Sequence, residues 1–379
     1  MRLASSRLFL IGLITTVSAS APLRADYNVT NLVSNVAGLA QNLDANLKNP
    51  WGVSFNPIGP FWVSNQGSNN ATLYDGTGAP LPLVVSTPTV GVGPNGPTGQ
   101  VFNGDSSAFH LSNGNSALFL FANLNGQISG WNPGLGTSAE AIISGTGAIY
   151  TGLGIGQFGG GSILYAADAL GNKIDVYDST FGNLGNSSFA GKFVDSTLAA
   201  AGFRVFNVQR IGSSVYVTYN SRSNGGDPAT SGGAVAVFDL AGNLLHEFSN
   251  GRGGPLEDPW GVALAPTNFG EFGGALLVGS KESGKINAFD ATDGTFLGTV
   301  ATIRGNDPGS TNNGLWGLTF GNGGRGGDKD TLYAFAGIND ERDGLIAAIR
   351  PVPEPASLAL LGIGGILVAF VHRKRSASV

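Results

Sequence analysis

Few side chains here could carry acid–base or metal chemistry. Histidine occurs three times in 379 residues, as His110, His246 and His372, and cysteine is absent. No His-x-x-x-His pair, no serine nucleophile elbow and no phosphate loop is present. Gly156-Gln-Phe-Gly-Gly-Gly161 is glycine-rich, but no helix pattern follows it to hold an anion at its N-terminus. His110 alternates with apolar neighbours in Ala108-Phe-His-Leu and reads as a satisfied surface or loop residue. His246 lies in an outer-strand pattern and reads as solvent-facing. Two acidic turns, Asp328-Lys-Asp330 and Asn339-Asp-Glu-Arg-Asp343, offer the oxygen ligands calcium takes. Neither has the EF-hand spacing, and both read as solvated hairpin tips.

A third set is better ordered. Asn49, Thr98, Thr151, Asn207, Asp258 and Asn313 stand at six similar strand starts, with Trp51, Trp260 and Trp316 close to three of them. If those starts converge, a ring of amides, hydroxyls and one carboxylate could hold waters, a sugar or a weakly bound calcium. Asn49, Asn207, Asp258 and Asn313 are then the candidate metal contacts. Trp51, Thr98, Thr151, Trp260 and Trp316 are the candidate ligand face. Turn capping by Asn and Asp, with Trp packed between sheets, accounts for the same residues. That plainer reading is preferred because the pattern repeats with the fold. No catalytic residue and no organic cofactor is assigned.

The elements that would bring these residues together come from a repeat. Asn49-Pro-Trp-Gly-Val, Pro97-Thr-Gly-Gln-Val, Tyr150-Thr-Gly-Leu, Val205-Phe-Asn-Val, Asp258-Pro-Trp-Gly-Val and Gly314-Leu-Trp-Gly-Leu recur. Anchored on residues 51, 98, 151, 206, 260 and 316, the intervals are 47, 53, 55, 54 and 56. Each anchor precedes further short runs with period two, such as Phe61-Trp-Val-Ser and Thr72-Leu-Tyr-Asp in the first unit. Gly, Asn and Asp turns separate them, as in strands joined by hairpins. Units of this length, each a small antiparallel sheet, predict a six-bladed β-propeller of four-stranded blades, an all-β fold. Pro82-Leu-Val-Val, Leu244-Leu-His-Glu-Phe and Phe296-Leu-Gly-Thr-Val are the candidate outer strands. Blade six has none of its own, so Tyr27–Ser34 is expected to donate one and cover the open edge.

The two ends carry addresses. Arg2 and Arg7, an apolar stretch from Leu8 to Val17 and small residues to Ala25 have the layout of a secretory signal peptide over residues 1–25. Residues 26–351 are the expected propeller. In residues 352–379, Pro353-Glu354-Pro355 leads into a 16-residue uncharged run from Ala356 to Val371, closed by His372-Arg-Lys-Arg375. That run is just under the roughly 17–25 residues that span a bilayer, and it has no polar stripe. The basic stop would stay cytoplasmic and hold the body outside.

Val352-Pro-Glu-Pro-Ala356, the glycine-bearing apolar run and the basic stop together resemble the PEP-CTERM sorting signal. The resemblance implies export in a Gram-negative bacterium and handling by an exosortase, with the tail removed or exchanged at the inner membrane. It implies a final place at the cell surface or outside the cell. Asn49-Pro-Trp-Gly, Ile128-Ser-Gly-Trp-Asn-Pro, Leu164-Tyr-Ala-Ala-Asp, Ile286-Asn-Ala-Phe-Asp and Leu315-Trp-Gly-Leu resemble an uncharacterised family of exported bacterial propellers, distantly like NHL-repeat propellers. That likeness implies fold and address but no activity.

Processing would remove Arg2, Arg7, Arg24, Arg373, Lys374 and Arg375 from 20 basic residues, leaving 14 against 25 acidic, a net of −11. Such a body is not drawn to nucleic acid. The expected function is a non-catalytic surface module binding exopolysaccharide or a matrix protein. The alternative is a metal-dependent hydrolase or lyase resembling gluconolactonase-type propellers. That chemistry needs several metal ligands and an acid–base group, and the ring offers one carboxylate, Asp258. With no face to dock on the body, residues 356–379 should be dispensable for folding. A chain ending at Pro351 is expected to stay soluble with an unchanged melting temperature. Aggregation, or a fall of several degrees, would give the tail a structural role.

Overall fold

β-Branched and aromatic runs pair into six antiparallel sheets arranged as the blades of a propeller. The computed structural model describes residues 27–89, 94–221, 232–252 and 254–352. Tyr27–Pro353 form one unit. The signal-peptide segment and the sorting motif Pro353, Glu354 and Pro355 lie outside the described residues.

Blade one comprises Pro50–Ser54, Phe61–Asn65, Asn70–Tyr74 and Pro80–Ser86, each hydrogen-bonded to the next. Blades two, four and five repeat that order from Pro97, Arg204 and Pro259. The expected outer strands are present as Pro80–Ser86, Leu244–Arg252 and Phe296–Thr302. Blade three departs from the pattern. Among the described residues its sheet has three strands, Tyr150–Phe158, Gly161–Asp168 and Lys173–Tyr177. A loop and the short helix Ser196–Ala200 follow where its neighbours carry an outer strand.

Blade six closes the ring as expected. Tyr27–Ser34 pairs antiparallel with Leu345–Pro351, from Tyr27 opposite Pro351 to Ser34 opposite Leu345. The join is fastened at both ends. The Tyr27 hydroxyl donates to the Phe269 carbonyl in blade five at 2.9 Å, and the Ser34 hydroxyl donates to the Gly344 carbonyl at 2.7 Å. A fifth strand, Asn42–Leu43, runs parallel along the outside of Tyr27–Ser34.

Apolar faces alternate with period two on both sides of each sheet, so the core is a set of interleaves between blades. Leu277 and Ile286 of blade five meet Leu315 and Leu332 of blade six. Trp62 and Leu73 of blade one meet Phe119 and Trp131 of blade two. The blade six–one seam packs Tyr333 and Phe335 on Phe61 and Val63.

Repeated turn chemistry fixes the outer hairpins. Asp75 accepts from the Thr77 and Ala79 amides at 2.8 and 3.1 Å, and Asp178 accepts from the Thr180 and Gly182 amides at 2.8 Å each. Burial raises both carboxyls, but hydrogen bonds from the Thr77 and Thr180 hydroxyls at 2.7 Å, with these amides, outweigh it and hold each below its ordinary value. Among the described residues no helix is long and apolar enough to cross a membrane.

Deleting residues 26–35 should strip blade six of its donated strand and expose an edge of buried backbone. Out of a total of about 5–15 kcal/mol, that loss is expected to be several kcal/mol. Chemical denaturation should show a markedly lower midpoint, and an unchanged midpoint would make the segment a mere linker.

Candidate functional site

The innermost strands approach so closely that five equivalent positions have no room for a Cβ. A Cβ on Gly52 would strike the Thr98 carbonyl, on Gly99 the Leu153 amide, on Gly152 the Asn207 side chain and on Gly261 the Trp316 carbonyl. On Gly317 it would lie 2.7 Å from the Trp51 carbonyl oxygen. The sixth position is Asn207. Its side chain spans the gap, with Nδ2 donating to the Trp260 carbonyl at 2.9 Å.

Above this ring three tryptophans close the axis. Trp51 and Trp316 stack with centroids 3.6 Å apart, and Trp260 stands edge-on to them at 6.2 and 6.0 Å. Phe206 completes the plug. The Trp316 indole donates to Asn49 Oδ1 at 2.8 Å, and the Trp260 indole donates to the Thr151 carbonyl at 2.9 Å. Asn49 in turn donates to Gln66 Oε1 at 2.8 Å. Lys281 lies 5.1 Å over the Trp316 ring and 2.7 Å from Glu341, a cation–π contact backed by an ion pair. Asn49 and Asp258 have φ of 46° and 48°, a left-handed conformation that Asn and Asp tolerate better than most residues.

Of the residues considered for a ligand-facing ring, Trp51, Trp260 and Trp316 form the plug, Asn49 and Thr151 accept from it, and Asn207 and Trp260 also line the channel below. Asn49, Thr98, Thr151, Asn207, Asp258, Trp51, Trp260 and Trp316 are all buried. Thr98 donates to the Tyr150 carbonyl at 2.8 Å, and the Asp258 carbonyl accepts from the Lys281 amide at 3.2 Å. Asn313 is not with them. It lines a polar groove with Glu257, Lys285 and Arg304 and donates to the Glu282 carbonyl at 3.1 Å.

The accessible end of the axis is the other one. A cavity of about 450 Å³ runs along the innermost strands from Trp260 to the strand ends. Gly52, Gly99, Leu153, Asn207 and Gly317 are buried, whereas Phe55, Phe102, Ile155, Gln209 and Thr319 are half-buried and Arg210 is exposed. The channel is thus blind at the tryptophans and open at the strand ends. Phe55 and Phe102 line its mouth beside Ser54, Gln209, Arg210 and Thr319, with the Phe55 ring 5.7 Å from that of Phe61 and the Phe102 ring 5.6 Å from that of Phe119. No Asp, Glu, His, Lys or Tyr is among the described residues lining it.

Residues 351–375 match the PEP-CTERM protein-sorting motif. That signal marks a protein exported, anchored by its C-terminus before exosortase processing, and then placed at the surface. An uncharacterized protein of Acanthamoeba polyphaga mimivirus is 30% identical over 301 residues, covering 74% of this chain and 76% of the relative. The chain belongs to its family. A second uncharacterized mimivirus protein is 29% identical over 309 residues, covering 78% of this chain and 74% of the relative. Among solved structures, virginiamycin B lyase from Staphylococcus aureus is 13% identical with a TM-score of 0.47, covering 87% of this chain and 100% of that one. Kuenenia stuttgartiensis hydrazine synthase is 12% identical with a TM-score of 0.45, covering 82% of this chain and 98% of that one.

Other candidate residues of this family member lie away from the axis. His110 is exposed, with Nδ1 3.0 Å from the Gly114 carbonyl. His246 is half-buried with its ring 4.7 Å from that of Phe248, a packing contact that turns it from solvent. Asp328 accepts from the Asp330 amide at 3.0 Å, as a turn residue does. Asn339–Glu341 is not a free hairpin tip. Its three residues have φ of 57°, 59° and 65°, and Asp340 accepts from the Thr311 and Asn312 amides at 3.0 Å each. Those bonds dock the turn on the loop entering blade six. One perturbed carboxyl escaped the sequence reading: the Asp195 hydrogen bond, with burial added, raises Glu247 to about 7. The two residues are far apart in sequence, so no local motif announces the pair.

Proposed function

We propose that this exported protein is a non-catalytic surface module that binds a neutral exopolysaccharide at the open mouth of its axial channel. The carrying observation is the lining of that mouth. Two half-buried phenylalanines, each packed on a neighbouring ring, line it with hydroxyls, amides and one guanidinium, a set able to meet sugar faces and their hydroxyls. General acid–base catalysis needs a titratable group within reach of the reacting bond. The lining supplies only the permanently protonated Arg210. A hydrolase or lyase acting in this channel is therefore the weaker reading. The acidic body favours a neutral chain over a polyanionic one.

A glycan array probed with the full chain should show binding to neutral polysaccharides. Phe102→Ala should weaken it at least tenfold, about 1.4 kcal/mol, and circular dichroism should show the propeller intact. No binding on the array, or full binding by a folded Phe102→Ala, would refute the proposal.

A further inference from the structure

Strand direction decides which end of the propeller is nearest the root of its tail. In blade six the innermost strand, Leu315–Phe320, runs from the tryptophan plug to the open mouth, where Thr319 lines the channel. Phe320 lies opposite Leu332, Leu332 opposite Ile349 and Ile349 opposite Val29, one row across the blade at the mouth end. Leu345–Pro351 runs toward that end and passes the row, to Pro351 opposite Tyr27. Neighbouring strands twist by about 20–25°, which turns this third strand by roughly 45° from the first and leaves it aimed at the same end. Tyr27 and Pro351 therefore sit side by side at the mouth end. The loop after Leu264, at the foot of the innermost strand of blade five, holds both: Phe269 accepts from the Tyr27 hydroxyl, and a Cβ on Gly270 would lie 2.9 Å from that of Pro351.

The mouth end also carries exposed apolar side chains. Ile58, 76% exposed, lies in the mouth-side turn of blade one, and Leu264 ends the innermost strand of blade five. Leu244, Leu245, Phe296 and Leu297 begin the outer strands of blades four and five and are exposed as well. Pairing fixes their level. Arg210 at the mouth shares a row with Val215, Phe238 and Leu244, and Leu264 shares one with Leu276, Phe289 and Phe296. At the plugged end Leu43 and Leu170 are exposed. Exposed apolar groups gathered on one face mark a surface that meets protein or lipid.

The length of chain beyond the face selects lipid. The sorting motif begins at Pro351 itself, and only Val352-Pro-Glu-Pro355 separate that strand end from the uncharged run. Four residues reach at most about 14 Å. A body the length of residues 27–351 has a radius of gyration of about 20 Å, so this tether cannot carry the plugged end to the bilayer. We propose that, while the tail is anchored, the propeller stands with its mouth face on the lipid bilayer and its exposed apolar side chains toward the headgroups. Acids of the mouth-end hairpins, Asp75 and Asp239 among them, give the face no attraction for anionic lipid, so the tether holds it there. On the reading of the mouth as a polysaccharide site, binding then belongs to the chain released from its tail.

The test uses single cysteines, since the chain has none of its own. Ile58→Cys and Leu245→Cys place a dye on opposite sides of the mouth, in blades one and four, and Leu43→Cys places one at the plugged end. Each full chain is inserted by its tail into phosphatidylcholine vesicles that carry an energy acceptor on their headgroups, with circular dichroism to show the fold intact. Transfer from Ile58→Cys and Leu245→Cys should exceed that from Leu43→Cys about twofold or more, because the strands set the two ends about 20 Å apart. Equal transfer from all three positions, or the highest transfer from Leu43→Cys, would overturn the proposal. Glycan binding by the same chains in detergent tests the sugar reading separately, so either can fail without the other.

Discussion

The close approach of neighbouring innermost strands at the axis is the constraint on which the molecule depends. At Gly52, Gly99, Gly152, Gly261 and Gly317 the backbone of one blade sits where a side chain would be. At the sixth position Asn207 reaches its neighbour through a hydrogen bond instead. Six blades of unequal loops share one axis because each first strand leans on the next at this level. The inter-blade apolar seams widen outward from that contact and supply most of the burial.

The ring also decides which end of the axis is open. Close strands at their starts leave space above them that only stacked tryptophans fill, and the indole N–H groups of Trp260 and Trp316 find acceptors on other blades. Lys281 and Glu341 then cover Trp316 from the outside. Below the ring the strands diverge, as blade sheets twist, and a cavity opens. A closed floor and a wider mouth would suit the proposed sugar site, since little conformational entropy would be lost on binding.

Much of this was legible in the chain. The Trp-Gly and Thr-Gly starts set the period, because each blade solves the same axial problem with the same residues. The closing strand was legible because Ile346–Ile349 would otherwise present an unpaired edge, and Tyr27–Ser34 stood unused upstream. The hairpins announced themselves through their Gly, Asn and Asp turns, and at Asp75 and Asp178 the structure shows the carboxylates accepting from the following amides. What was not legible depends on contacts through space. Asn49 and Asp258 could be read as metal contacts or as turn caps, and the three tryptophans as a ligand face or as packing between sheets; the 3.6 Å stack of Trp51 on Trp316 shows that this end is shut. Phe55, Phe102 and Gln209 sit at strand ends and carry no motif. Blade three's missing strand follows a stretch rich in Gly, Asn and Ser, which gives no period to read. Asn339–Glu341 holds three successive left-handed residues without a glycine, an arrangement fixed by docking on Thr311 and Asn312 rather than by local preference.

The axial contact is tested most directly by equilibrium urea unfolding of Gly52→Ala beside Asn207→Gly. The added methyl group must push the Thr98 carbonyl away or open the ring, so Gly52→Ala should lose about 3 kcal/mol or more. Asn207→Gly fits the ring and loses one buried hydrogen bond, so it should lose about 1–2 kcal/mol including the backbone freedom of glycine. A Gly52→Ala chain within about 0.5 kcal/mol of wild type would contradict the account, because the strands could then not be as close as the ring requires.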